Sequence, residues 1–294
     1  MKSAVQRKPV RAAATAPSLH VFHGHSGAHI LFNAATGVVR KTAASPAANA
    51  RLFAQAEKQR RLFMLGLPFP RVLAERLDKA NCAEFDMQYL PGRSIADAVI
   101  QAGAFDPTTV LKSVERMFWL FAPHAGAALP AHLFHDKIEA IAKVGNDIVR
   151  IAAARLAACN WSGIPQSPCH GDLTLENMLI TTSRTVAFID CDDAFVSSYW
   201  LDFGKLFQDI DGHWCLRRLY DVGASPAQRI NAIQKLEPLA RGFRALAART
   251  DAALPARLPQ LAALGLLRAV PYARDEALVA FICRRIAHLL DIAP

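Results

Sequence analysis

A change of hydrophobic pattern at Pro91-Gly92 constrains the fold more than any other feature of this chain. Before it, apolar residues come in short runs broken by turn residues. Leu19–Phe22, His29–Phe32 and Val38–Lys41 read as strands, separated by the glycine-bearing stretch 23–28 and the turn 33–37. A helix is predicted next: Ser45-Pro46 is a start signal, Leu52, Phe53, Ala56, Leu62 and Phe63 recur at helical spacing, and Gly66 with Pro68 stops it. Two further strands are predicted at 71–76 and 83–89. After Pro91-Gly92 the pattern turns helical, near 94–102, 107–122, 133–159, 199–219, 226–249, 257–269 and 274–291. One island, 169–195, holds two short β-like runs, 177–181 and 185–189. The fold class is therefore α+β. A small antiparallel-sheet lobe with one helix spans 18–90, a large mainly helical lobe spans 91–294, and residues 1–17 form a disordered basic tail. Clefts between such lobes are common ligand sites.

The 294 residues are 52% hydrophobic and 20% charged, which excludes bulk disorder and supplies enough apolar surface for both lobes. No apolar run is long enough to span a membrane without a charge or a breaker, so the chain reads as soluble. The net charge of +9 is uneven: residues 1–80 carry 13 Lys and Arg against 3 acids, the remainder 21 against 22. A basic first part suits nucleotide phosphates, lipid headgroups or nucleic acid, or is simply a solvated face. The absence of zinc-finger, RNP and heptad patterns speaks against nucleic acid. The six cysteines show no CxxC spacing, so they read as free thiols of a reducing, cytoplasmic compartment. Lys2, Arg7, Lys8 and Arg11 without an acid, and without an apolar core segment, read as a disordered basic tail and not as a secretory signal, with a weak resemblance to an organelle transit peptide as the alternative.

The chemistry concentrates in His170-Gly171-Asp172-Leu173-Thr174-Leu175-Glu176-Asn177, followed by a β-like run ending in Phe188-Ile189-Asp190. Polar groups on the two sides of a tight hairpin converge on one small volume. An Asn carbonyl and a carboxylate are hard oxygen ligands suited to Mg²⁺. A second carboxylate can orient or deprotonate a hydroxyl. Together they are what phosphoryl transfer requires. Lys41 ends the third β-like run, where a lysine facing a cleft can pair with phosphates of ATP. Arg40 points to the opposite face.

The string HxDxxxxN with a following Ile-Asp resembles the aminoglycoside phosphotransferase/choline kinase group of the protein-kinase-like fold. It is especially similar to uncharacterised bacterial phosphotransferases of that group, and the resemblance runs from about 19 to 290. It implies ATP and Mg²⁺ as cofactors and a small-molecule hydroxyl as acceptor. Asp172 would be the catalytic base, Asn177 and Asp190 the metal ligands, and His170 a scaffold residue. Lys41 would anchor phosphates and Glu57, on the following helix, would pair with it. Gly24 and Gly27 stand where a phosphate-covering loop belongs, although Gly-His-Ser-Gly departs from GxGxxG. Met87-Gln88-Tyr89-Leu90 resembles a hinge, with Gln88 and Tyr89 bonding adenine through their backbone.

Two rival readings remain open at this stage, a protein Ser/Thr kinase and a non-catalytic nucleotide-binding scaffold. The short connection from Asp190 to the helix-like run at Trp200 gives a peptide little to lie on. The four chemistry-bearing positions are all filled, which speaks against a scaffold. The acids Asp192, Asp193, Asp202, Asp209 and Asp211 would favour a cationic or polyhydroxyl acceptor if they face the cleft, or else serve as caps and supports. A sugar, amino sugar or amino alcohol is the acceptor class expected, and the resemblance to proteins of bacterial surface-polysaccharide regions leans towards a sugar. Asp202-Phe203-Gly204 spells a metal motif literally but opens an apolar-periodic helix. Asp202 is therefore expected to tie that helix to the catalytic loop, and Asp190 to hold the metal.

Overall fold

The alternation of residues 19–88 builds a single antiparallel sheet. In the computed structural model, residues 19–23, 28–101, 103, 105–192 and 195–291 are described; the basic tail and the Gly24–Gly27 loop lie outside them. Strands β1 (Leu19–His23), β2 (His29–Asn33), β3 (Val38–Thr42), β4 (Val72–Leu77) and β5 (Ala83–Gln88) form one sheet in the order β1-β2-β3-β5-β4. The β2–β3 turn closes because the Asn33 carbonyl accepts the Gly37 N–H at 2.9 Å, with Gly37 at φ +64°. The register sets Lys41 opposite Ile30 on one side and Phe85 on the other. Helix α1 (Asn49–Met64) packs on this sheet through Leu52 and Ala56, against Ala43, Cys82, Ala83 and Phe85. Arg40, on the other face of β3, pairs with Asp86 at 2.8 Å.

The second lobe contains a short sheet, β6 (Gly92–Ser94), β7 (Met178–Thr181) and β8 (Val186–Phe188), in that order. Its helices are α2 (Ile95–Ile100), α3 (Pro107–Phe121), α4 (Ala131–Val144), α5 (Asp147–Ala157), α6 (Tyr199–Ile210), α7 (Arg217–Asp221), α8 (Pro226–Thr250), α9 (Leu258–Leu267) and α10 (Glu276–Asp291). The periodic stretch 133–159 is two helices, because Asn146 caps a new start by accepting the Val149 N–H at 3.1 Å. The stretch 199–219 likewise breaks, at His213 with φ +55°. β6 was hidden in the Pro-Gly break, since three residues carry no readable alternation.

Helix α6 lies at the centre and every one of its residues is buried. Phe203 stacks on Phe118 with ring centroids 4.0 Å apart. Gly204 lets α9 approach: a Cβ there would sit 2.9 Å from the Leu261 carbonyl oxygen. That packing duty accounts for the glycine of the Asp-Phe-Gly string. No helix among the described residues is long and apolar enough to cross a membrane. All six cysteines are unbonded.

Candidate active site

Polar residues on a fully buried helix must find partners, because an unpaired buried polar group is costly. Asp202, Lys205 and Asp209 fall at i, i+3 and i+7 on α6, hence on one stripe. All three reach the loop 170–177. Asp202 accepts the N–H of His170 at 2.6 Å and of Gly171 at 2.7 Å. Asp209 accepts the Leu175 N–H at 2.5 Å. Lys205 Nζ lies 3.0 Å from Asp172 Oδ1. Burial raises the Asp202 carboxyl to about 7 despite its two backbone donors, and raises Asp209 to about 8, with the charge of Glu176 adding to the effect. Ser198, not Asp202, caps α6 by accepting the Trp200 N–H.

The loop itself is held tightly. Gly171 has φ +91°, and a Cβ would lie 1.9 Å from the Asp192 carbonyl oxygen, so no side chain fits. His170 is fully buried, with its ring 5.5 Å from that of Phe69, and burial lowers its pKa to about 4. A neutral imidazole packed beneath the loop is a support, not a proton carrier at neutral pH. Asp172 points into the cleft. Burial pushes its carboxyl up, but the Lys205 ammonium, by charge and hydrogen bond, outweighs this and holds it below the usual range. Asn177 Nδ2 donates to Asp172 Oδ2 at 2.9 Å and to its carbonyl at 2.8 Å.

The hairpin β7–β8 returns the chain to Asn177. The Ile189 N–H donates to the Asn177 carbonyl at 3.0 Å, and Asp190 follows at φ +57°. A left-handed residue is uncommon outside glycine, although Asp tolerates it better than most side chains. Lys41, almost fully buried, crosses from the sheet lobe to Asp190 Oδ1 at 2.5 Å. Gln55 Nε2 donates to the same oxygen at 2.8 Å. The Asn177 side-chain oxygen Oδ1 and Asp190 Oδ2 remain as two hard oxygen donors on one cleft, a set that fits Mg²⁺. Among the described residues no group of three or more His, Cys, Asp or Glu could hold a metal by itself. A cation here would need oxygens from a bound phosphate, as Mg²⁺ usually does.

Two sequence expectations are corrected, and one left open is decided. Glu57 does not meet Lys41: it is exposed and pairs with Arg60. The helical phase explains this. Gln55 faces inward with Leu52, Ala56 and Gln59, and two residues further is 200° round the helix. Gln55 is legible in the sequence as a polar residue in an apolar stripe. The N–H groups of Gln88 and Tyr89 bond the carbonyls of Arg71 and Gly37, which removes both as donors to adenine. The acids after Asp190 do not make an acidic cleft. Asp202 and Asp209 are spent on the loop, Asp211 pairs with Arg244 at 2.7 Å, and Asp193 lies outside the described residues. Asp192 sits 3.2 Å from Arg51 and 3.9 Å from Arg268.

The cleft encloses about 380 Å³ between the lobes, and Lys41, Asp172, Asn177 and Asp190 all line it. Sequence reading missed Lys58, which donates to the Asp192 carbonyl at 2.5 Å, and Lys205. The signal for Lys205 was a lysine inside an otherwise apolar helix.

A sheet lobe over a helical lobe, with a buried lysine meeting a carboxylate across the cleft, defines a two-lobed, kinase-like fold. The sequence pattern of the phosphotransferase enzyme family matches residues 23–227, and the chain belongs to that family. Among solved structures, it is similar to a thermostable mutant of aminoglycoside phosphotransferase APH(4)-Ia in ternary complex with ADP and hygromycin B. The identity there is 15%, over 93% of each chain, with a TM-score of 0.58. It is also similar to aminoglycoside phosphotransferase APH(3'')-Id from Streptomyces rimosus ATCC10970, at 18% identity over 92% of each chain and a TM-score of 0.53. These likenesses show the protein-kinase-like fold. No curated protein matches the chain in sequence.

Proposed function

We propose that this enzyme moves the γ-phosphoryl group of ATP to a hydroxyl of a small molecule. The observation that carries the reading is the convergence of Lys41, Asp172, Asn177 and Asp190 on one cleft, with Lys41 and Asp190 in contact across the two lobes. Family membership and a structural relative holding ADP support a nucleotide in that cleft. The lobe of residues 18–90 covers the nucleotide and that of 91–294 carries the catalytic loop. Lys41 binds phosphate oxygens and is itself aligned by Asp190. Mg²⁺ held by Asn177 and Asp190 would neutralise phosphate charge. Asp172, kept ionised by Lys205, orients the acceptor hydroxyl and takes its proton. The acceptor oxygen bonds the γ-phosphorus as the bond from that phosphorus to the bridging oxygen breaks, leaving ADP.

A small acceptor is favoured over a peptide because only residues 191–198 join Asp190 to α6, too few to form a peptide platform. The free thiols fit a cytoplasmic setting, where ATP is plentiful. The test is ADP release over a panel of sugars, amino sugars and amino alcohols. Asp172→Asn should lower kcat about 10²–10⁴-fold while nucleotide affinity persists. Turnover near that of the parent enzyme would remove Asp172 from the role of base.

A further inference from the structure

The cleft as a whole carries more cations than carboxylates, and most of its acids are already paired. Seven cationic side chains line the cleft against four carboxylates. Glu176 is bound by Arg217, with both carboxylate oxygens at 3.1 Å, and Asp172 by Lys205. Asp192 is flanked by Arg51 and Arg268. Among the described residues, no carboxylate pairs with Lys137 on α4 or with Arg274 in the loop between α9 and α10. Arg268, at the end of α9, lies over the Phe195 ring, 5.2 Å from its centroid, and 3.9 Å from Asp192, the one acid it pairs with among the described residues. These three cations come from separate elements of the helical lobe, yet line one cavity. Lys41 and Arg51, the cations from the sheet lobe, are already engaged, at Asp190 and Asp192. Arg268 lines the same cavity as Asp172.

Resting on the phosphotransferase reading, we infer that the acceptor is an anionic hydroxyl compound, bearing a carboxylate or a phosphate group, and that Lys137, Arg268 and Arg274 recognise that group. A cation in water gains little from another cation. An amino sugar or amino alcohol entering this cleft would meet like charge, which costs affinity and favours a wrong-partner rejection. An anion would find one lysine and one arginine head with no carboxylate partner among the described residues and a second arginine held only loosely, so binding it displaces no strong ion pair seen there. Arginine suits a planar carboxylate or a phosphate through paired donors. The transfer itself is unchanged: the acceptor hydroxyl oxygen bonds the γ-phosphorus, ADP leaves, and the proton goes to Asp172. The anionic group stays intact and serves only to hold the acceptor.

The experiment is calorimetric titration of the full chain saturated with ADP and Mg²⁺, using glucose, glucosamine, glucuronate and glucose 6-phosphate as probes. Glucuronate or glucose 6-phosphate should bind at least tenfold more tightly than glucose or glucosamine, and the preference should shrink as salt is raised. The two anionic probes separate carboxylate from phosphate recognition. Lys137→Ala and Arg274→Ala, on half-buried and exposed side chains, should each weaken the preferred anion about fivefold or more and leave the ADP affinity within about twofold. Arg268→Gln should do the same while keeping much of its packing on Phe195. Equal binding of all probes, no binding of any, or tighter binding of glucosamine overturns the inference. So does an equal loss of ADP affinity in the variants, which would assign the cations to the nucleotide. Failure of ADP itself to bind brings down the phosphotransferase reading and this inference with it, whereas ADP binding without anion preference brings down this inference alone.

Discussion

Replacing Asp202 by asparagine separates a support for the catalytic loop from a metal ligand, at almost constant volume. The carboxylate takes two buried backbone N–H groups, at 2.6 and 2.7 Å. Asparagine keeps one acceptor oxygen and turns an NH₂ towards the other N–H. One charge-assisted bond is lost, about 1.5–3 kcal/mol, and a buried donor is left facing a donor, a further 1–3 kcal/mol or so. Because the two terms overlap, the expected loss is about 2–5 kcal/mol. That exceeds the value of a helix cap, and rightly so, because Ser198 holds the cap. At about 2–4 °C per kcal/mol for a chain of this size class, Tm should fall by about 5–20 °C. The measurement is thermal unfolding at pH 8, paired with Mn²⁺ titration in the presence of ADP well below the transition. Asp202→Asn should melt early and keep its cation affinity. Asp190→Asn, at a left-handed position asparagine also tolerates, leaves buried Lys41 only an amide oxygen and should melt below the parent too, but it should lose the cation affinity that Asp202→Asn keeps. The reverse pattern of affinity would refute the assignment.

Two further outcomes follow from the same geometry. Glu57→Ala removes only a surface pair with Arg60 and should leave kcat/KM within about twofold and stability within about 1 kcal/mol, whereas Gln55→Ala should raise the nucleotide KM and lower Tm, since Gln55 bonds both Asp190 and the Cys191 carbonyl. Steady-state kinetics on both variants decide it, and a large effect at Glu57 with none at Gln55 would reinstate the Lys41–Glu57 pair. Stability should also fall between about pH 6.5 and 8: Asp202 and Asp209, raised to about 7 and 8 from 3.8, hold protons in the folded state that the unfolded chain has lost. Below that window His170 and His213, lowered to about 4 from 6.5, act in the opposite sense and offset the slope. Denaturant midpoints at pH 6.5 and 8.0 measure this; Asp209→Asn, which retains one acceptor for Leu175, should reduce the difference, and a midpoint rising with pH across that range would contradict it.

The spacing of Asp172, Asn177 and Asp190 was legible because a loop and a tight hairpin bring near residues together whatever the rest of the chain does. The helices after Pro91-Gly92 were legible for the same local reason, since their period is written in Leu and Ala. Their breaks at 145–146 and 211–213 were less so, because a cap or a left-handed residue interrupts the helix without interrupting the apolar pattern. The partner of Lys41 was not legible. It depends on the rotational phase of α1 after docking, which turns Gln55 inward and Glu57 to solvent.

By itself, then, the sequence determined the order of strands and helices, the hairpin that presents Asn177 and Asp190, and the family to which its motif points. Tertiary structure alone decided where the charges went. Asp202, Lys205 and Asp209 became props of a loop some thirty residues away, Asp192 fell between two arginines, and the cleft was left with more cations than carboxylates. The physical reason is that covalent spacing and helical period act over a few residues. The cost of an unpaired buried charge is instead settled only when distant segments meet, and by whichever groups that meeting brings within reach.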